Sequence, residues 1–216
     1  MALQSSGAIS LNDIHVEAGG SSGTLCGIND SDIRGLIGKG SGATMSFNEW
    51  YGASSYTAST INTSFITTPS GNGYTRYRVD DGVTSYTGQT SDPEYVQTIN
   101  LNTSAGRKLV LTIHVRDGDS SGGTDYVYAR SSGAALTIDS SSQLVSGLTA
   151  GTLSTTISTT GGYISTITGN PDVGDRYQLS IRFTVPAGAI GNNILLFYND
   201  DPNDDDSSRG ISVNLS

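Results

Sequence analysis

The sequence predicts a mainly β protein: an antiparallel β-sandwich or jelly roll over residues 55–216, preceded by a small module of three short helices in residues 1–54. Three observations carry this prediction. Charged residues are only 14% of the chain and 28 of its 216 residues are Gly, a composition of strands and turns rather than helical bundles. From Tyr74 onward, apolar and polar residues alternate with a period of two. Before that point, three short phrases with helix-start chemistry recur.

The phrases are Ile9-Ser10-Leu11-Asn12-Asp13-Ile14, Ile28-Asn29-Asp30-Ser31-Asp32-Ile33 and Met45-Ser46-Phe47-Asn48-Glu49-Trp50. After an apolar first residue each carries Ser, Asn or Asp, which satisfy the free N–H groups of a first helical turn. An acid follows in that turn, where the helix dipole favours it. The expected helices are 11–18, 31–37 and 47–51, separated by the turns Gly19-Gly20-Ser21-Ser22-Gly23 and Gly38-Lys39-Gly40-Ser41-Gly42. Their apolar side chains are Ile14 and Val16; Ile33, Leu36 and Ile37; Phe47, Trp50 and Tyr51. So few are expected to be too little for a core of their own. The module then reads as a cap on the sandwich or as an attachment module. In the second reading Ile14, Ile33, Leu36, Ile37, Phe47, Trp50 and Tyr51 are the partner-docking residues.

Residues 55–68 are rich in Ser and Thr and read as a linker or an edge strand. The clearest strand is Lys108 to Val115, where Leu109, Leu111, Ile113 and Val115 face one way and Lys108, Thr112, His114 and Arg116 the other. Tyr177 to Val185 and Ile211 to Leu215 repeat the pattern. Weaker strands are expected at 74–79, 95–101, 126–130, 136–138, 163–167 and 194–198. Asp80-Asp81-Gly82, Asp117-Gly118-Asp119, Gly161-Gly162, Asn170-Pro171-Asp172 and Gly191-Asn192-Asn193 supply turns between them.

The chemistry the sequence offers is sparse. A net charge of −9 and 11 scattered Lys and Arg argue against nucleic acid and anionic membranes as partners. The single cysteine, Cys26, excludes an intrachain disulfide. The N-terminus has neither the charged nor the apolar region of a secretory signal, so a soluble protein made in a cytoplasm is expected. Gly19 to Gly23 matches GxSxG in letters, but lacks the strand-to-helix context that makes Ser21 a nucleophile. His15 and His114 lack the spacing of a zinc pair and are expected to be surface or hydrogen-bonded residues. No enzyme and no required cofactor are expected. Ca²⁺ at the acidic loops Asp200 to Asp206, and Asp117 to Asp119 with Asp125, is the one cofactor they suggest. Tyr74, Tyr77, Tyr126, Tyr128 and Tyr163 could stack on a glycan or pack at a subunit interface.

Gly7 to Gly20, Asn29 to Lys39 and Met45 to Ser54, taken as an ordered set, resemble an N-terminal segment of virion structural and tail-associated proteins of marine tailed phages, especially cyanophages. The resemblance covers about a quarter of the chain. In that family variable β-rich domains follow the segment, which implies a shared docking signal and carries no catalytic residues. It implies a virion protein of a tail, baseplate or fibre, made in the host bacterial cytoplasm. Other virion proteins are the implied partners, and a homo-oligomer is expected within the particle. A capsid decoration or cement protein, and a carbohydrate-binding receptor module, are the alternatives.

Overall fold

The structure is a computed structural model that describes residues 3–53, 59–90, 97–103, 105–117, 123–169, 174–199 and 209–216. The chain divides into two compact units, Met1–Thr57 and Ala58–Ser216.

The first unit begins its helix α1 (Leu11–Glu17) with a complete capping box. The Ser10 hydroxyl accepts from the Asp13 N–H at 3.1 Å, and the Asp13 carboxylate accepts from the Ser10 N–H at 2.9 Å. The Ser10 hydroxyl in turn donates to the Asp13 carboxylate at 2.6 Å, and this bond, followed by that from the Ser10 N–H, holds the Asp13 carboxyl below its usual range. Helix α2 (Ser31–Gly35) is shorter than expected. Its N-cap Asp30 turns away from the helix and accepts from the Gly27 N–H at 2.7 Å. The third expected helix is a correction: Phe47–Trp50 forms only a single 3-10 turn. Phe and Trp are weak helix formers, and Gly52, at φ +72, turns the chain back at once. The Gly52 N–H then donates to the Gln4 carbonyl, and the Leu3 N–H to that of Ala53.

A second correction concerns the core of this unit. Leu3, Ile14, Ile33 and Trp50 are buried together, with Ile9, Leu11, Ile28, Leu36, Ile37, Met45 and Ala53 packed around them. The indole N–H of Trp50 donates to the Ile33 carbonyl at 3.0 Å. Arg34, also buried, donates to Asn29 Oδ1 and to the carbonyls of Gly40 and Ala43, pinning the second glycine turn. Segments outside the helices contribute much of the core, which counting apolar side chains helix by helix could not reveal.

Among its described residues the second unit has twelve strands. Sheet 1 contains β1 (Tyr74–Asp80), β2 (Ser85–Thr90), β4 (Lys108–Arg116), β6 (Leu136–Ser146), β8 (Thr156–Ile157) and β10 (Arg176–Thr184), in the order β2-β1-β4-β10-β6-β8. Sheet 2 contains β3 (Gln97–Leu101), β5 (Asp125–Ser131), β7 (Thr149–Ala150), β9 (Gly162–Thr168), β11 (Asn193–Asn199) and β12 (Arg209–Leu215), in the order β3-β12-β11-β5-β9-β7. The pairing is antiparallel except that β3 runs parallel to β12. Strand β2 and the short β7 and β8 were not legible. Strand β6 runs eight residues beyond the expected 136–138, because Asp139-Ser140-Ser141-Ser142 interrupts its apolar phase.

Alternation in the strands builds one apolar core that draws on both sheets. Leu109, Leu111, Ile113 and Val115 of β4 and Tyr177, Leu179, Ile181 and Phe183 of β10 meet Val127, Ile167, Leu196, Ile211 and Val213 of sheet 2. Full burial of each such side chain is worth about 1.5–3 kcal/mol. On this inner side the Gln143 amide is paired through both its atoms. Gln143 Oε1 accepts from the Tyr177 hydroxyl at 2.8 Å and from Ser165, while its Nε2 donates to the Gly151 carbonyl. Burial pushes the Tyr177 hydroxyl pKa up.

Trp50 is the only tryptophan and sits wholly inside the first unit, so indole fluorescence reports on that unit alone. Ile14→Ala should cost about 2–4 kcal/mol and lower the denaturant midpoint followed by Trp50 emission. A midpoint unchanged from wild type would contradict the core described for residues 3–53.

Candidate functional site

The seven docking residues expected from the sequence separate into two groups. Ile14, Ile33 and Trp50 have no solvent exposure, so they hold the first unit together and cannot contact a partner. Leu36, Ile37 and Tyr51 are half-buried, and the Tyr51 hydroxyl donates to the Gly7 carbonyl at 2.6 Å. Phe47 is 42% exposed with its ring 5.8 Å from that of Trp50. Two further exposed apolar side chains here lie outside that set: Val16, which the sequence marks only as an apolar residue of the first helix, and Leu25, which it does not single out. Val16 borders a shallow groove with Leu3, Ile9, Asn12 and Asp13.

The catalytic-looking motif in this unit is a structural turn. The Gly23 N–H donates to Asn12 Oδ1, and His15 Nε2 bonds the Thr24 hydroxyl at 2.8 Å rather than Ser21. Cys26 is half-buried near the Leu11 carbonyl.

Of the linker or edge strand expected at 55–68, residues 55–58 lie outside the described residues; in the second unit, residues 59–70 form no strand. They make a strap along the outer face of sheet 1, held by side chains instead of ladder bonds. The residues that catch it lie on the outward phase of β4 and β10: Thr112, His114, Gln178 and Ser180, all without solvent exposure. Asn62 Nδ2 donates to the Thr112 hydroxyl at 2.8 Å, and the Asn62 N–H to that of Ser180 at 3.1 Å. Gln178 grips the strap twice: its Oε1 accepts from the Ile66 N–H at 2.7 Å and its Nε2 donates to the Ser64 carbonyl at 2.9 Å. At either end Ser59 donates to Asp80 and Arg176 donates to Thr68.

His114 sits under the middle of the strap. Its ring stacks on Phe65 at 4.8 Å, and its Nδ1 lies 3.1 Å from the Ile66 carbonyl. That carbonyl only accepts, so Nδ1 carries the proton. Burial, reinforced by Arg176 and Arg76, lowers the imidazole pKa to about 4, against the opposing bond to Ile66. The ring is therefore neutral at pH 7.

The same face corrects the impression that the basic residues are scattered. Residues 58–216 contain nine Lys and Arg, and six of them point outward from sheet 1: Arg76, Arg78, Lys108, Arg116, Arg176 and Arg182. Asp80 pairs with Arg78 at 2.8 Å and Asp139 with Lys108 at 2.6 Å. Among the described residues Arg76, Arg116, Arg176 and Arg182 have no carboxylate in ion-pair range. Their shared phase was the available signal, since each sits on the polar side of an alternating strand.

The outer face of sheet 2 carries aromatic rings instead. Tyr126 and Tyr163 lie 4.8 Å apart, Tyr128 and Tyr163 5.9 Å, and Tyr128 and Phe197 4.6 Å. Gly210, opposite Phe197 in the register, lets the Phe197 Cβ and the Leu196–Phe197 backbone approach closely. Tyr163 is 43% exposed. Tyr74 and Tyr77 lie in sheet 1, away from this strip.

The acidic tract Asp200 to Asp206 lies outside the described residues, as do Gly118 and Asp119. Asp125 is buried and accepts from the Tyr198 hydroxyl. Among the described residues, no three His, Cys, Asp or Glu side chains converge as a metal set. No helix among them is long and apolar enough to cross a membrane. No protein family, curated protein or solved structure matches this chain.

Two predictions follow from the strap. Gln178→Ala leaves the Ile66 N–H and Ser64 carbonyl without their partners and should cost about 2–3 kcal/mol, with faster amide exchange confined at first to residues 62–68. Uniform exchange rates across wild type and variant would sink this account. His114 has a folded pKa below its unfolded one, so the unfolded chain takes up the proton first as pH falls. Its contribution is intact above pH 6.5 and is lost progressively toward pH 4, by up to roughly 3 kcal/mol. His114→Gln should flatten that part of the stability profile measured by denaturant titration.

Proposed function

We propose that this chain is a non-enzymatic structural protein of a tailed-phage particle, a tail, baseplate or fibre component that docks through its N-terminal unit and presents a β-sandwich body. The ordered trio of phrases in residues 7–54 carries the reading. The geometry gives that segment what a docking module needs. It has its own core around Trp50, closing contacts between residues 3–4 and 52–53, and apolar side chains left on its surface at Val16, Leu25 and Phe47. Its partner is another virion protein, and the same docking logic would serve a capsid decoration protein.

The aromatic strip of Tyr126, Tyr128, Tyr163 and Phe197 favours a second role for the body, contact with a glycan. Neighbouring rings on an outer sheet face offer stacking surface to the apolar side of a sugar.

Val16→Lys, Leu25→Ser and Phe47→Ser, combined in the full-length chain, should lower incorporation into particles at least tenfold while Trp50 emission stays native. Incorporation equal to wild type, with the variant folded, would remove the docking reading. Tyr163→Ala tests the second role by loss of signal on a glycan array.

A further inference from the structure

We propose that the pocket between the strap and strand β1 binds an oxyanion group, a carboxylate or sulfate, through the paired guanidinium groups of Arg76 and Arg78. Ile66, Thr67, Arg76, Tyr77, Arg78 and Thr87 line it. The two arginines stand two residues apart on β1 and so project from the same face. Thr87 lies directly opposite Arg78 in the register, and Thr67 comes from the strap.

Three observations point to a bound anion. The Nε atoms of both arginines are buried and have no hydrogen-bond partner. A buried donor without an acceptor is costly, so the site gains when an acceptor arrives. The local charge is also uncompensated. Asp80 answers Arg78 through Nη2, but among the described residues no carboxylate answers Arg76, and the next row of the sheet adds Arg116 and Arg176. This concentration of positive charge occurs in a chain of net charge −9. Finally, the surroundings suit a charge-assisted bond. Ile66 walls the pocket with apolar surface, which strengthens the attraction, and Thr67 and Thr87 add neutral donors. Planar guanidinium forks match the spacing of carboxylate and sulfate oxygens, whereas a neutral sugar hydroxyl would leave the charge unanswered.

The test uses the full-length chain and the side-chain Nε–H resonances of its arginines. Sodium sulfate is titrated against sodium chloride at matched ionic strength, and glucuronate against glucose. Arg76 and Arg78 should shift saturably with sulfate or glucuronate and not with chloride or glucose. Tighter saturation by glucuronate identifies a sugar acid as the source of the group; tighter saturation by sulfate identifies the inorganic ion. Arg76→Gln should weaken binding at least tenfold with the melting temperature preserved, and Arg76→Lys should weaken it less. Linear drift that is equal for chloride and sulfate would overturn the proposal. So would equal shifts at Arg34 and Arg130, which lie outside this face. The measurement is made on isolated protein, so its outcome is independent of whether the chain enters a phage particle.

Discussion

The pairing of β4 with β10 is the constraint on which the larger unit depends. These two nine-residue strands are in register along their whole length, from Arg116 opposite Arg176 to Lys108 opposite Thr184. Because side chains alternate, one registration fixes two surfaces at once. The inner phase places Leu109, Leu111, Ile113, Leu179, Ile181 and Phe183 in the core. The outer phase places Thr112 beside Ser180 and His114 beside Gln178, and these four receive the strap. A slip of one residue would destroy both arrangements together. Sheet 1 is thus buried on both sides along its centre, apolar within and polar without.

That second burial explains why the outer surface of sheet 1 is chemically unlike that of sheet 2. The covered polar groups are paired for the most part, His114 Nε2 being a buried exception, and the covered strip is built from hydroxyls, an amide and an imidazole. Charges are kept to its flanks, where Arg76 and Arg78 on one side and Arg182 and Lys108 on the other retain access to water. Sheet 2 has no such cover described over it, and its outer surface carries rings.

The strands with a strong two-residue period could be read directly, and their facing sides were correct. β4, β10 and β12 all announce themselves this way. The strap could not be read, because it has no period: its position is set by side chains more than a hundred residues away, such as Gln178 and Ser180. Strand β2 was hidden for a related reason. As an edge strand with Gly88 beneath the Tyr77 ring, it buries little and so shows little pattern. In the first unit the capping chemistry located both helices, yet residue counts misjudged the core, since Leu3, Met45 and Ala53 join it from outside any helix. The charged face was visible only after topology aligned Arg76, Arg116 and Arg176. The exposed apolar side chains of the first unit were half legible: the sequence marked which residues are apolar, and packing decided which of them stay outside.

The strap also has a mechanical meaning. The covalent chain enters the second unit just ahead of Ser59, so tension applied at the start of that unit acts on residues 59–70 before it reaches a strand. The strap lies lengthwise over β10, with its bonds spaced from Ser180 through Gln178 to Arg176. Tension along that axis loads these bonds together, in shear. Tension perpendicular to the sheet meets them one at a time and peels them. A segment without regular structure therefore gives the body a preferred direction in which to bear load.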